Sequence, residues 1–256
     1  MDYKTLLVNE IPNGLEVVFN RLEKRNTINS AFIDELSNVI ELAEKNPKCR
    51  LIVLKGQKGI FCCGMDFEER IQKTPETAEN PAALMNLLKK FCSTSKVIIS
   101  IVDGQVIAGG VGLVAASDYV ISTTKSEFSL SEALWGLLPA NILPFIIRRV
   151  GFQKAYTMTL TTRKISALDA CAISLVDEVS DEPEKALKKL STSLFRVSEE
   201  TVFDLKKYFR KLWIINEEME QTAINELERL VHQPRVQNNI KNFVEKGIFP
   251  WDSLEP

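Results

Sequence analysis

The chain has 256 residues, 45% of them apolar and 26% charged, which is enough for a large core that needs no disulfide or metal staple. A formal charge of −2 excludes a protein that coats nucleic acid through a basic surface, and no apolar run is long enough to span a bilayer. Five cysteines without zinc-ligand spacing and a single histidine, His232, leave carboxylates, thiols and backbone amides to carry any chemistry.

The opening MDYKTLLVNE has no basic stretch ahead of an apolar one, so no signal peptide is read, and free cysteines suit a reducing cytoplasm. Residues 4–8 and 15–20 are strand candidates joined by the turn Ile11-Pro-Asn-Gly14. A helix is expected from Ser30 to Glu44, with Phe32, Leu36, Val39, Ile40 and Ala43 on one face. Leu51–Lys55 and Val97–Val102 read as buried strands, each running into a Gly-containing segment, and 118–122 is a third short apolar run. Helices are expected at about 82–92 and 111–117, and this alternation implies parallel strands joined by crossovers. After Ser131 nearly everything reads as helix; Val176–Ser180 is the one later strand candidate, Pro183 suits a first helical position, and breaks fall near Asn216 and Pro234. The organisation is an α/β core over about 1–190 and a helical region over 191–256.

Four segments carry a resemblance. Ile60-Phe-Cys-Cys-Gly-Met-Asp66 fits F-x-x-G-x-D, and the glycines of Asp103-Gly-Gln-Val-Ile-Ala-Gly-Gly110 stand as G-x-x-x-x-G-G, followed by Ser117-Asp118. Phe128-Ser-Leu-Ser-Glu-Ala-Leu-Trp-Gly-Leu-Leu-Pro139 fits F-x-x-x-E-x-x-x-G-x-x-P, and Asn20–Asn29 is similar to the segment at the mouth of an acyl-carrier pocket, with Leu22 where proline is usual. Their order and spacing over roughly 15–180 resemble the crotonase family of enoyl-CoA hydratases and isomerases. The resemblance implies a spiral ββα core with a C-terminal helical trimerisation region, assembling as a homotrimer or hexamer, with no cofactor and no metal.

The implied chemistry is physically coherent. Reaction beside a thioester carbonyl builds negative charge on its oxygen, and two fixed N–H donors stabilise that charge, each by roughly 10²–10³ in rate. The resemblance gives these donors as the backbone amides of Met65 and Gly109. Gly109 and Gly110 let the backbone approach closely and open a helix whose N-terminus favours an oxyanion. The alternative for the glycine pair alone is an ordinary tight strand-to-helix turn. Glu132 matches the family's second catalytic glutamate, and its apolar neighbours Leu130, Ala133 and Leu134 should raise its pKa. Ser129-x-x-Glu132 is equally a capping-box pattern. Asp66 could polarise a leaving hydroxyl as a second catalytic residue; Asp66-x-x-Glu69 is also a helix-cap pattern. Arg25, Cys63, Gly64, Gly110, Gly112, Leu137 and Pro139 are the implied substrate-binding residues, while Cys62 and Cys63 read as packed thiols without an activating histidine.

The departures narrow the reading. Hydratases carry a first glutamate where this chain has Gly112, which speaks against simple hydration and leaves one glutamate for isomerisation or syn-elimination. Gly112 is also expected to leave space for a branched acyl chain. After Pro139 the usual glycine-rich stretch is replaced by Ala140-Asn-Ile-Leu-Pro-Phe-Ile-Ile-Arg-Arg149. That segment, Met158-Thr-Leu160 and the ending Val244-Glu-x-Gly-x-Phe-Pro-Trp251 resemble the dehydratases of polyketide β-branching cassettes, which convert 3-hydroxy-3-methylglutaryl-carrier protein to the 3-methylglutaconyl form. An enoyl-CoA isomerase or hydratase on a coenzyme A ester, and a non-catalytic binding subunit, are the alternatives. Lys206, Lys207, Arg210 and Lys211 share one helix face, read either as solvated surface or as a dock for an acidic carrier protein. Aromatic residues of the tail, Tyr208, Phe209, Trp213, Phe243, Phe249 and Trp251, are expected in the core and in subunit contacts.

Overall fold

The computed structural model describes residues 3–72, 80–213 and 215–252. The chain opens with a hairpin, β1 (Leu6–Ile11) and β2 (Gly14–Phe19), whose turn places Asn13 at a left-handed φ of 58°. Helix α1 (Ser30–Lys45) follows, capped by the Asn29 side chain accepting from the Phe32 amide, with the expected apolar face buried. Next come β3 (Leu51–Lys55), β4 (Ile60–Cys62), α2 (Phe67–Gln72) and α3 (Ala83–Phe91). Strands β5 (Val97–Val102) and β6 (Gln105–Ile107) lead into α4 (Gly109–Ala116), and β7 (Tyr119–Ser122) and β8 (Glu127–Ser129) complete the strand-rich half.

Each turn of the chain gives one strand to each of two sheets. The larger runs β1-β2-β3-β5-β7 and ends on β10 (Glu178–Val179); all its pairs are parallel except the hairpin. The smaller runs β4-β6-β8 in parallel and closes antiparallel on β9 (Ile165–Ser166). This is the spiral ββα core that the sequence implies. The short strands β4, β6 and β9 are additions to the sequence reading, because two or three residues carry no usable period.

Both faces of the large sheet are covered, as a parallel sheet requires. Ile52, Leu54, Ile98 and Val102 pack into the main core with α1, α3 and α4. Leu51, Val53, Val97 and Ile99 pack on the other face against Ala186, Leu187 and Leu190 of α8 (Pro183–Leu194), whose Pro183 sits in the first turn as expected. Between β8 and α8 in chain order come α5 (Leu143–Val150), α6 (Phe152–Thr161) and α7 (Ala167–Ala172).

Three helices form the tail: α9 (Glu199–Leu212), α10 (Glu217–Val231) and α11 (Pro234–Lys246), the last two starting at the expected breaks Asn216 and Pro234. No residue of α9 is buried, and polar latches join it to the core. The fully buried Lys96 ammonium pairs with Glu199 at 2.6 Å. Lys206 pairs with Asp118 at 2.6 Å and donates to the carbonyls of Phe91 and Lys96 at 2.9 and 2.8 Å. The face expected to present four solvated cations therefore presents three, Lys207, Arg210 and Lys211, because Lys206 turns inward.

Candidate active site

The first candidate donor, the Met65 amide, is placed by a partner that sequence reasoning missed. Ile28 forms an isolated parallel bridge with Met65, its amide donating to the Gly64 carbonyl at 2.7 Å and its carbonyl accepting from Asp66 at 2.9 Å. That pattern spends the groups on either side of Met65 and turns the Met65 amide away from Ile28. The second donor, Gly109, starts α4. Neither amide donates a hydrogen bond to another group among the described residues.

The two segments touch. A Cβ on Gly64, whose φ is +90°, would stand 3.0 Å from Cβ of Ala108 and 3.8 Å from the Gly109 nitrogen. Ala108 sits at φ 53°, ψ −119°, a region costly for a residue with a side chain, of order 1–3 kcal/mol. It is held there because its amide donates to the Ser129 carbonyl at 2.9 Å while its own carbonyl accepts from Val111 at 2.8 Å. Gly110 lets α4 reach β4: a Cβ there would stand 2.4 Å from the Cys62 carbonyl oxygen. The result is two unspent N–H groups on segments that touch, that of Gly109 at a buried helix N-terminus, where negative charge is favoured.

Strand pairing brings Glu132 to the same end of the small sheet. Ile107 of β6 pairs with Ser129 of β8, so Gly109 lies two residues beyond one strand and Glu132 three beyond its neighbour. Glu132 begins a short 3-10 turn, Glu132–Trp135, in place of the expected α-helix. The capping-box alternative is absent: the residue before that turn is Ser131, and no side chain caps it. Glu132 Oε2 is buried and has no hydrogen-bond partner among the described residues. Burial pushes its carboxyl up to about 7, opposed only by its own backbone amide. A carboxyl poised near neutrality in apolar surroundings can both take and return a proton.

Asp66 takes the capping role. Its Oδ1 accepts from the Glu69 amide at 3.1 Å and its Oδ2 pairs with Arg21 at 2.7 Å, so each oxygen is already engaged in a structural contact. Arg25 and Cys63 come together, with the guanidinium 3.5 Å from Sγ. Burial pushes the Cys62 thiol up to about 12 and raises Cys63 as well, against the pull of Arg25, so neither is an activated nucleophile. Leu137 is buried in the cluster that seats the tail, with Trp135, Leu230, Val236 and Ile240. The carbonyl of Pro139 accepts from Ile142 and Leu143 at 3.0 and 2.8 Å and so starts the turn into α5.

The expected space at Gly112 is a correction. A Cβ there would meet Cγ2 of Ile142 at 2.4 Å and Cβ of Ile142 at 2.8 Å. Ile142, from the segment that replaces the glycine-rich stretch, already fills the volume.

The tail closes over this end of the molecule. Trp135, three residues after Glu132, meets Phe67 of α2 edge-on at 4.9 Å between ring centroids, and Phe243 and Trp251 of the tail at 5.1 and 5.8 Å. The tail aromatics Phe243, Phe249 and Trp251 thus pack on one another and on Trp135, with Phe249 and Trp251 partly exposed, whereas Tyr208 and Phe209 of α9 are more exposed still. Among the described residues no cluster of His, Cys, Asp or Glu is placed to hold a metal ion.

Comparison with known proteins gives a consistent result. A family model described as enoyl-CoA hydratase/isomerase matches residues 10–254. The chain is 35% identical over 253 residues to the bacillaene synthase dehydratase PksH of Bacillus subtilis, covering 98% of this chain and 97% of that one. It is 28% identical to the enoyl-CoA hydratase EchA19 of Mycobacterium tuberculosis over 190 residues, or 72% and 71% of the two chains. The crystal structure of a polyketide biosynthesis enoyl-CoA hydratase (pksH) from Bacillus subtilis superposes with a TM-score of 0.91, covering 97% of this chain and 100% of that one at 35% identity. An enoyl-CoA hydratase/isomerase from Marinobacter aquaeolei gives 0.75 at 25% identity, with 95% and 97% covered.

Proposed function

The chain belongs to the enoyl-CoA hydratase/isomerase, or crotonase, family of lyase-type enzymes, and on that premise we propose that it is a dehydratase of polyketide β-branching. Its substrate is 3-hydroxy-3-methylglutaryl-acyl-carrier protein and its product the 3-methylglutaconyl form, made in the cytoplasm. The observation that carries this reading is the neutral-poised Glu132, without a hydrogen-bond partner among the described residues and at the same end of the small sheet as two unspent amides, in a chain alike over nearly its whole length to a polyketide dehydratase.

In this mechanism the thioester oxygen sits between the Met65 and Gly109 amides. The Glu132 carboxylate removes a proton from C2, and the electron pair moves onto the thioester oxygen as an enolate. The enolate then collapses to the C2=C3 double bond as the C3–O bond breaks, and the departing hydroxyl takes the proton back from Glu132 and leaves as water. One carboxyl serves both steps, so no second glutamate at Gly112 is required. Arg25 and Cys63 lie at the mouth through which the carrier's pantetheine arm enters the core of residues 1–190, while 191–256 forms the helical region.

The same reading makes the protein a closed oligomer. Phe152, Tyr156 and Leu160 form an exposed stripe on α6, and Tyr208, Phe209 and Leu212 form another on α9. Two different apolar faces that pack against each other between copies make head-to-tail contacts, and such contacts close into a ring, here a trimer or a pair of trimers.

The deciding assay compares 3-hydroxy-3-methylglutaryl groups on a carrier protein and on coenzyme A with a linear enoyl-CoA. Dehydration of the branched substrate, fastest on the carrier, is expected. Efficient hydration of the linear enoyl ester with no branched turnover would overturn the reading in favour of an ordinary hydratase.

A further inference from the structure

Two buried side-chain atoms lack a hydrogen-bond partner among the described residues: Glu132 Oε2 and Asn141 Oδ1. Glu132 is used by the mechanism above; Asn141 is not. Asn141 is 9% exposed, and a buried amide oxygen is rarely left without a partner, which a ligand or an ordered water supplies where the protein does not.

Its position and orientation are both fixed. The Asn141 side-chain nitrogen donates to the Pro81 carbonyl at 2.7 Å. A carbonyl can only accept, so the NH2 group must face Pro81 and the oxygen must face the other way. Pro81 lies just ahead of α3, whose Leu84 comes within 3.6 Å of a Cβ placed on Gly109. The residue after Asn141, Ile142, seats on Gly112 one turn further along α4. Asn141 is therefore held between the start of α3 and the first turn of α4, the helix that presents the Gly109 amide.

An unbonded acceptor calls for a donor. The acyl part of the substrate offers one: its thioester oxygen, sulfur and distal carboxylate all accept, and the hydroxyl on C3 alone carries a proton to donate. We infer that Asn141 is a specificity-determining residue whose Oδ1 accepts the hydrogen of the substrate's β-hydroxyl and orients its lone pairs for the proton from Glu132. The inference rests on the dehydratase reading. The product has no hydroxyl and loses this bond, which favours its release.

Binding to the wild-type enzyme provides the first test. Unreactive analogues carry 3-hydroxy-3-methylglutaryl or 3-methylglutaryl groups joined to pantetheine through an amide, and differ only in the hydroxyl. The hydroxylated analogue is expected to bind roughly tenfold more tightly, the worth of one good hydrogen bond; equal affinities overturn the proposal. In Asn141→Leu, and in Asn141→Ala where the larger side chain perturbs packing, that preference should vanish. Elimination from the carrier-linked substrate should fall roughly 10- to 100-fold in kcat/KM. Exchange of the C2 protons of a 3-methylglutaryl thioester in heavy water needs Glu132 and the two amides but no hydroxyl, so it should persist in both variants. Equal loss of exchange and elimination would make Asn141 structural and refute the role. Failure of the wild-type enzyme both to exchange and to eliminate would instead refute the dehydratase reading.

Discussion

Ile142 occupies the volume that a side chain at position 112 would need, its Cγ2 lying 2.4 Å from the place of a Cβ on Gly112. The two residues are coupled: the glycine that replaces the family's first glutamate and the isoleucine that replaces part of the glycine-rich stretch fit each other. Gly112→Ala should overpack this contact and cost about 1–3 kcal/mol. Ile142→Ala should leave a void and cost about 2–5 kcal/mol. Together they should cost less than the sum, because the alanine methyl enters the void, and denaturant unfolding of the four proteins measures the coupling. Simple additivity would refute the contact. Gly112→Glu in the wild-type background is expected to unfold this region before it adds any hydratase activity.

Glu132→Gln should reduce turnover by roughly 10²–10⁴, the usual worth of general acid–base catalysis. Its effect on stability should have the opposite sign to a lost cap. The Glu132 carboxyl is raised from an ordinary 4.5 to about 7 in the folded protein. The folded state therefore holds a proton that the unfolded state has released, and stability is lost as pH rises from about 4.5 to 7, by roughly 3 kcal/mol in all. The glutamine variant should match wild type at pH 4 and melt higher at pH 8. The wild-type kcat/KM should rise through about pH 7 as the base ionises, and a flat profile there would exclude Glu132 as the base.

Lys206 and Lys207 are neighbours in sequence with different fates. Lys206 satisfies the Phe91 carbonyl at the end of α3, the Lys96 carbonyl and Asp118. Lys206→Met leaves these acceptors short of a donor and should cost about 1–3 kcal/mol. Lys207→Met, on the exposed face, should stay within about 0.5 kcal/mol. Thermal melts of the two variants under one buffer decide the matter, and equal shifts would contradict the inward placement of Lys206.

The parts of the fold that were legible in sequence are those with a period long enough to read. The apolar face of α1, the continuous runs of β3 and β5, and Pro183 at the start of α8 all announce themselves locally. Motif spacing named Met65, Gly109 and Glu132 as candidates, and the fold brings the segments that carry them to one end of the small sheet. What sequence could not supply was anything decided by contacts between distant segments. Ile28 aims the Met65 amide from 37 residues away. Ile142 cancels the space expected at Gly112. The ring of aromatic residues around Trp135 joins the 3-10 turn Glu132–Trp135, α2 and the tail with no local signature. Lys206 has the helical spacing of a solvated cation, and only the arrival of two backbone carbonyls beneath it makes it a latch.

Gly64 tests the oxyanion geometry without touching a side chain that reacts. At φ +90° an alanine is strained whatever the space, and its Cβ would also press on that of Ala108 at 3.0 Å. Relief requires the 64–65 segment to rotate or withdraw from Ala108 and Gly109, and either movement re-aims the Met65 amide. Gly64→Ala should therefore lower kcat by roughly 10²–10³, as the loss of one oxyanion donor does, with a smaller change in KM. The fold should survive, since the main core residues do not adjoin this Cβ, and a melt run beside the assay checks it. Adding Ala108→Gly removes the methyl contact but not the backbone strain, so it should restore only part of the rate. Full recovery in the double variant would show that crowding alone caused the loss. An unchanged kcat in Gly64→Ala would mean that the Met65 amide does not hold the developing charge.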